Sequence, residues 1–171
     1  KGKGNVFALK RFHAFMRKVS QNGLVAKNRF KDNNYVVGYC LKADIKHYFQ
    51  EIDHAVLITL IQRKIQDMHV INLIKKINAN FGMKRERERE RLTSWLVLPK
   101  GMPLGNLTSQ FFANIYLNEL DYFVKHTLKA KYYLRYVDDF VILHNSKGQL
   151  EEWKKRIDIF LREKLRIELH P

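Results

Sequence analysis

The sequence predicts an α+β fold in which helices pack against an antiparallel sheet. Apolar residues recur at helical spacing in several stretches, and strand-like runs rich in Val, Tyr and Ile separate them. The order helix, strand, helices, hairpin arm, helix, hairpin, helix, strand is typical of this class. With 171 residues and 46% hydrophobic content, the chain is long enough to bury one core.

The first element is a basic amphipathic helix over residues 6–19. Its apolar residues, including Phe12, Phe15 and Val19, recur every three or four positions. The opposite face is basic, and its candidate nucleic-acid-binding residues are Lys10, Arg11, Arg17 and Lys18. A polar loop over residues 20–34 follows.

The remaining elements follow from the same spacing rules. Asp53 precedes an apolar run and is predicted to cap a helix. The predicted strands cover residues 35–45, 92–98 and 166–169, and the predicted helices cover residues 55–66, 71–77, 108–128 and 147–164.

A charged run of Lys84 followed by alternating Arg and Glu occupies residues 84–91, inside a predicted hairpin arm or loop at about residues 81–100. Such a run is usually a solvated face or loop. On a strand, its period of two would place the guanidinium groups on one side, where they would face a phosphate backbone. The arginines of that stripe are Arg85, Arg87, Arg89 and Arg91.

Two adjacent carboxylates, Asp138 and Asp139, lie at the tip of a predicted hairpin. Most such pairs are solvated turns. Here the flanking Val137 and Phe140 are apolar, and no Gly or Asn supplies the usual tight turn. Half-buried carboxylates repel each other, and Mg²⁺ prefers carboxylate, water and phosphate oxygens. The pair therefore predicts a divalent metal that also binds phosphate.

Asp44 is the third acid of interest, near the end of the strand over residues 35–45. If that strand neighbours the hairpin in one sheet, Asp44, Asp138 and Asp139 meet at one edge. Three such carboxylates are able to hold two Mg²⁺ ions, for which Mn²⁺ is a substitute, in the arrangement that supports nucleotidyl transfer. Zinc is not predicted, because no Cys or second His lies at ligand spacing.

The net charge of +15 predicts a polyanionic partner. The first 31 residues carry nine Lys or Arg and no acid. Nucleic acid fits better than an anionic membrane, because no stretch has the apolar face of a membrane-surface helix.

The single Cys40 is expected to be a core thiol, and one unpaired cysteine favours a reducing, cytoplasmic location. Since the chain begins without Met, we expect a longer natural protein.

Three blocks of residues, in this order, resemble the motifs of reverse transcriptases. Residues 42–49 (KADIKHYF) place an aromatic residue five positions after Asp44. Residues 103–110 (PLGNLTSQ) resemble the template- and nucleotide-contacting motif, and residues 136–139 (YVDD) resemble the Tyr-x-Asp-Asp box. Each motif alone is modest, but the three together are specific.

The resemblance implies a polymerase palm with a ferredoxin-like core, an antiparallel sheet backed by helices. It covers about residues 35–145 well and the first 30 more loosely. On this basis residues 1–34 are a basic segment of the fingers, residues 35–171 are the palm, and the thumb is absent.

The same resemblance assigns roles to single residues. Asp44, Asp138 and Asp139 would be the catalytic acids and metal ligands. The carbonyl of Ile45 would be a further ligand. Phe49 would be the steric gate that excludes a ribose 2′-hydroxyl, so that dNTPs are preferred. The other nucleotide-binding residues that it implies are Lys46, His47, Tyr48, Leu104, Gly105 and Gln110.

The second motif departs from that of many reverse transcriptases. Many carry Gln where this chain has Leu104, and they often carry Ser-Pro where it has Ser109-Gln110. The pattern resembles the diversity-generating retroelement branch, whose enzymes copy template adenines poorly; group II intron and retron enzymes fit less well. The implied partners are an RNA template, a DNA or RNA primer, dNTPs and a small basic accessory protein, with no membrane.

Two other functions fit parts of the sequence. A domain that binds structured RNA, as intron-encoded relatives do in splicing, would explain the basic N-terminus but not three acids facing a polyanion. A nucleotidyl cyclase or another palm-type polymerase would explain the acids but not the motif around Gly105. We therefore expect RNA-templated DNA synthesis by two-metal nucleotidyl transfer, weak or absent in this chain alone.

Overall fold

The structure, a computed structural model, describes residues 4–23, 25–26, 35–89, 100–102, 105 and 107–171, with the backbone alone at 5, 25–26, 35–36 and 79–89. The α+β class is confirmed. The elements are α1 (Asn5–Val19), β1 (Val25–Ala26), β2 (Tyr35–Val36), β3 (Tyr39–Ala43), α2 (Tyr48–Glu51), α3 (His54–Gln62), α4 (Met68–Arg89), α5 (Leu107–Tyr122), β4 (Tyr132–Tyr136), β5 (Asp139–His144) and α6 (Lys147–Phe160). Helices α5 and α6 continue as single π-helical turns, Phe123–Thr127 and Leu161–Leu165.

The central sheet is antiparallel and has the order β3-β5-β4. Its register pairs Ala43 with Phe140, and Tyr136 with Asp139. Directly opposite residues share a face, and successive residues alternate between faces. We call the side of Leu134, Val141 and Leu143 the α1 face, and the side of Tyr133, Phe140 and Ile142 the α5 face, after the helices that cover them.

The main core lies on the α5 face. Helix α5 has an apolar stripe at helical spacing, and this stripe is buried in one core cluster with residues of the sheet and of α3. Helix α6 closes the core with Leu150, Trp153 and Ile157. The buried residues of the α5 stripe are Ala113, Tyr116, Leu117, Leu120 and Val124, as predicted for a helix over residues 108–128.

Helix α1 packs on the opposite side of the sheet. Phe15 and Val19, four residues apart, are buried against Leu143, and the Phe15 ring lies 5.2 Å from that of Tyr132. The helix predicted over residues 6–19 is therefore confirmed. Its basic residues are exposed, so the α1 face of the molecule presents a positive surface.

The strand predicted over residues 35–45 is divided in two. β2 pairs with β1 in a separate small sheet, whereas β3 pairs with β5. Between them Gly38 has φ +150°, and a Cβ at this position would lie 3.3 Å from Val19 Cγ1. Glycine suits this change of sheets, because L side chains rarely adopt this φ and a Cβ would crowd α1.

The prediction of a hairpin arm at about residues 81–100 is wrong for residues 81–89, because these residues continue α4. Residues two apart do not share a face of a helix, so the backbone of α4 places Arg87 on a different side from Arg85 and Arg89, and the three do not share one face. Arg91 and the strand predicted over 92–98 lie outside the described residues.

Three smaller expectations also change. The helix predicted over residues 55–66 ends at Gln62. The last strand, predicted over 166–169, is an isolated bridge between Ile45 and Leu169. Cys40 is exposed and is not a core thiol. No helix in the described ranges is long and apolar enough to cross a membrane.

Candidate active site at the open end of the sheet

The three predicted acids approach one another at one end of the sheet. Ala43 is paired with Phe140, and one further step along this register brings Asp44 opposite Asp139. Asp138 precedes Asp139 in the connection between β4 and β5. The juxtaposition follows from the strand order, because β5 lies between β3 and β4 and turns back at this end.

Asp138 lies in a two-residue hairpin loop with Val137. Tyr136 and Asp139 close the loop as the last strand pair. Val137 has φ +55°, which is rare for a β-branched residue because its Cβ crowds the backbone. Glycine or asparagine normally occupies such a position. The loop is therefore strained, and the surrounding structure must hold it in place.

The electrostatics of the site are set by like charges. Burial raises the pKa of Asp138, and the charges of Asp44 and Asp139 raise it further, although backbone N–H groups oppose these effects. The Asp44 carboxylate is half-buried and accepts a hydrogen bond of 2.8 Å from the N–H of Ile45. A cation between these groups would relieve their repulsion.

The carboxylates do not form a complete metal cage. Within the part of the chain that the structure describes, no group of three or more His, Cys, Asp or Glu side chains forms a cluster that could hold a metal ion. Mg²⁺ usually takes only one or two protein carboxylates and completes its shell with water and substrate phosphates. The donor set at Asp44 and Asp138 therefore fits an ion that is bound together with a phosphate ligand.

The C-terminal segment fixes the backbone around Asp44. The N–H of His170 donates to the carbonyl of Asp44 at 2.8 Å, and the N–H of Lys46 donates to the carbonyl of Glu168 at 2.9 Å. Together with the bridge between Ile45 and Leu169, these bonds hold both sides of Asp44. Ile45 is buried, and its side chain contributes to the core.

The residues after Asp44 differ in exposure. Tyr48 is buried, and its hydroxyl donates to the carbonyl of Ala113 in α5, so its side chain is a core contact. Phe49 is half-buried, and its ring lies 5.4 Å from that of Tyr48. His47 is exposed at φ +47°. Lys46 is exposed and lines a cavity with Lys154 of α6.

The second predicted motif is described in part. Gly105 has φ +88°, and no atom of the residues that the structure describes lies within 4 Å of where its Cβ would be. An open surface beside a glycine leaves room for a ligand to approach the backbone. Gln110 is exposed at the start of α5, while Ser109 is buried. Leu104 lies outside the described residues.

Reasoning from the sequence missed two ion pairs that each have one buried side chain. Asp121 on α5 binds Arg135 on β4, and the cap residue Asp53 binds Arg166. A signal for the first was present: strand alternation places Arg135 on the same side as the core residue Tyr133, where an apolar residue is expected. The second pair joins residues 113 positions apart, which no local pattern indicates.

The family follows from a comparison with known proteins. A family model described as "Reverse transcriptase (RNA-dependent DNA polymerase)" matches residues 6–171. This chain belongs to the reverse transcriptase family. The three motifs predicted from the sequence lie within the matched residues of this reverse transcriptase domain.

Two relatives of the reverse transcriptase domain are encoded in introns. The "Group II intron-encoded protein LtrA" of Lactococcus lactis subsp. cremoris is 34% identical over 122 residues, which are 69% of this chain and 19% of that protein. The "Uncharacterized 91 kDa protein in cob intron" of Schizosaccharomyces pombe is 36% identical over 93 residues, which are 54% of this chain and 10% of that protein. The chain therefore spans about a fifth or less of the length of these curated relatives.

Proposed function

We propose that the protein synthesises DNA on an RNA template by two-metal nucleotidyl transfer. The observation that carries this proposal is the sheet register, which brings the end of β3 beside the start of β5 and so brings Asp44 next to the Asp138 loop. Membership of the reverse transcriptase family supports the reaction class. The basic, exposed side of α1 supports a nucleic-acid substrate.

Reverse transcriptases as a family use divalent metal ions, and we propose Mg²⁺ for this chain. When bound, two such ions lower the pKa of the primer 3′-hydroxyl and neutralise the triphosphate. Asp44 and Asp138 would supply carboxylate oxygens, and the carbonyl of Ile45 would supply a further one. Asp139 is more exposed than Asp138, which fits a supporting role.

We further propose that residues 35–171, which include the β3-β5-β4 sheet and α2–α6, are the palm, and that residues 1–34, which include α1 and β1, belong to the fingers. In this arrangement the half-buried ring of Phe49 excludes the ribose 2′-hydroxyl, and the open side of Gly105 meets template or nucleotide. The proposed partners are an RNA template, a primer and dNTPs.

Primer extension by the complete natural polypeptide that contains these 171 residues tests the proposal. We expect dTTP incorporation on a poly(rA) template with an oligo(dT) primer. Asp138→Ala should lower the rate by about a hundredfold or more, because a group that stabilises charge in the transition state is removed. Asp158→Ala, a surface carboxylate paired with Arg162, is the matched control and should leave the rate unchanged.

A second candidate function is binding of structured RNA without synthesis. The intron-encoded relatives favour it, as does the basic side of α1. In this case the wild-type protein would bind RNA tightly but fail to extend a primer, and Asp138→Ala would leave RNA affinity unchanged. That result would overturn the polymerase proposal.

For the branch of the family, we propose the diversity-generating retroelement type. The pattern of Leu104 and Gly105 followed by Ser109 and Gln110 supports it, whereas the relatives found are intron proteins. An apolar Leu in place of Gln removes hydrogen bonds that would position template or nucleotide. We expect misincorporation opposite template adenine, reduced in Leu104→Gln. An error spectrum that Leu104→Gln leaves unchanged would contradict this role of Leu104.

A further inference from the structure

Arg135, the residue before the Tyr-Val-Asp-Asp segment, forms a bidentate ion pair with Asp121. Its Nε donates to Oδ1 of Asp121 at 2.8 Å, and its Nη2 donates to Oδ2 at 2.7 Å. Only 10% of the Arg135 side chain is exposed. Because Asp121 is part of α5, this pair ties the last strand positions of β4 to a helix whose apolar stripe lies in the main core.

Asp121 is itself fixed by a third group. The hydroxyl of Tyr133, a buried residue on the same side of β4, donates to Asp121 Oδ1 at 2.7 Å. Burial raises the pKa of Tyr133, and the Asp121 charge raises it further, so the hydroxyl remains a donor. The Asp121 carboxylate that binds the Arg135 guanidinium is therefore held in place by both Arg135 and Tyr133.

The remaining arm of the guanidinium reaches the Val137–Asp138 loop. Nη1 of Arg135 donates to the carbonyl of Val137 at 2.7 Å and contacts Oδ1 of Asn114 at 3.4 Å. Val137 is the residue at φ +55°. A planar guanidinium with two arms fixed on Asp121 presents its third donor in one direction, so it fixes this carbonyl as well.

We propose that Arg135, clamped by Asp121, is a positioning residue that holds the strained Val137–Asp138 loop so that the Asp138 carboxylate faces Asp44. This inference rests on the proposed polymerase function, in which Asp138 acts at the reacting phosphate. Without the bond to its carbonyl, Val137 would relax from the left-handed region. Asp138, the only other residue of the loop, would then turn away.

A purely structural ion pair would have different consequences. A buried pair often adds little net stability compared with apolar packing, and its loss lowers the stability of the whole fold. A positioning residue instead changes the catalytic rate per folded molecule and the order of one loop. A displacement of about 1 Å at reacting groups is enough to slow a reaction about a hundredfold.

The experiment uses the complete natural polypeptide with Arg135→Ala and the matched control Arg63→Ala. Arg63 also pairs with a carboxylate of α5, Glu119, but its side chain is 58% exposed. We expect Arg135→Ala to lower kcat by about 10- to 100-fold, with the KM for dTTP changed less than about threefold. Arg63→Ala should match wild type. Arg135→Lys keeps the charge but loses the planar, bidentate geometry of the guanidinium donors, so it should recover only part of kcat.

A second readout does not depend on activity. Hydrogen exchange of the backbone amides at residues 136–140 should become at least about tenfold faster in Arg135→Ala, while exchange in the α5 core stays as in wild type. If Arg135→Ala does not fold, Asp121→Asn loosens the same clamp with a smaller change of side-chain shape and is measured in its place.

The outcomes separate the two proposals. Unchanged kcat and unchanged loop exchange in a folded Arg135 variant would overturn the inference. A loss of kcat that merely matches the loss of folded molecules would overturn it as well. If wild type makes no DNA, the polymerase proposal fails, and faster loop exchange alone would still show that Arg135 holds the loop.

Discussion

At the scale of single residues, the Phe49 side chain combines a packing role in the core with a proposed role in nucleotide selection. Its ring is half-buried at the start of α2 and packs edge-on against Tyr48, so part of it belongs to the core. The remaining surface is open, and the family resemblance assigns it the role of sugar gate. Both roles are compatible, since a gate works only if its position is fixed.

Phe49→Val separates these roles. We expect the preference for dCTP over rCTP, measured as a ratio of kcat/KM values, to fall by about tenfold or more, because the smaller side chain no longer fills the space of the 2′-hydroxyl. Phe160→Val, which shortens another partly buried phenylalanine stacked on Phe123, is the control. An equal loss of preference in both variants would assign the effect to general loosening of the fold.

At the scale of elements, Asp53 joins three parts of the fold. Its carboxylate accepts hydrogen bonds from the N–H groups of Ala55 and Val56 at the start of α3. The carboxylate also pairs with Arg166 at 2.9 Å. The backbone N–H of Asp53 donates to the hydroxyl of Tyr116. The side chain is 1% exposed. A cap residue predicted from local sequence is thus also a tertiary connection between α3, α5 and the C-terminal segment.

Asp53→Ala should lower the free energy of unfolding by about 2–3 kcal/mol, because a helix cap is lost and buried donors are left without a partner. The matched control is Asp67→Ala, since Asp67 makes similar bonds to His69 and Val70 but on the surface. We expect a change of about 1 kcal/mol or less for the control. Urea unfolding of both variants measures the difference, and equal values would contradict a tertiary role for Asp53.

The same variant has a pH dependence whose sign follows from the pKa. Burial alone would raise the pKa of Asp53, but the Val56 N–H and the Arg166 guanidinium outweigh it and lower the pKa from its ordinary value of 3.8. A carboxyl with a lowered folded pKa stabilises the fold above the unfolded value and loses this contribution as the pH falls through the folded value. The stability difference between wild type and Asp53→Ala should therefore be constant above about pH 5 and shrink below about pH 4.

At the scale of the whole molecule, the two sides of the sheet differ in what they offer to a polyanion. Asp139 lies on the α1 face, in the same alternation as Val141 and Leu143. Helix α1 covers the end of that face that is distant from Asp139, around Tyr132 and Leu143, and it exposes its basic residues to solvent. Helix α6 covers the other side. The net charge of +15 is therefore expected to act on nucleic acid mainly from the α1 side.

Salt dependence of primer–template affinity tests this arrangement. Changing the exposed basic residues of α1 to Gln should reduce the slope of log K against log salt by about 0.7–0.9 for each phosphate that the protein no longer neutralises. Four basic residues of α6, changed in the same way, remove equal charge from the other side and should alter the slope less. The α1 set is Lys10, Arg11, Arg17 and Lys18, and the α6 set is Lys147, Lys154, Lys155 and Arg156. Equal slopes in both variants would contradict a sided surface.

Most of the local structure could be predicted from the sequence, because it depends on contacts between near neighbours. The apolar spacing of α1 and α5, the Asp53 cap and the hairpin around Asp138 all follow from short-range rules, and all are confirmed. The alternating charges at residues 84–89 were a misleading signal, since a period of two is also compatible with the helix α4. The cytoplasmic location and the accessory protein stay predictions.

The sequence by itself determined the residue types of the site: three acids, an aromatic residue five positions after the first, and a glycine at a turn. Only the tertiary structure decided which of these meet. The order β3-β5-β4 brings Asp44 beside Asp138, and the ion pair of Asp121 and Arg135 reaches the carbonyl of Val137. Pairing between distant strands and burial of charge depend on how the whole chain packs, and so no local pattern of residues specifies them.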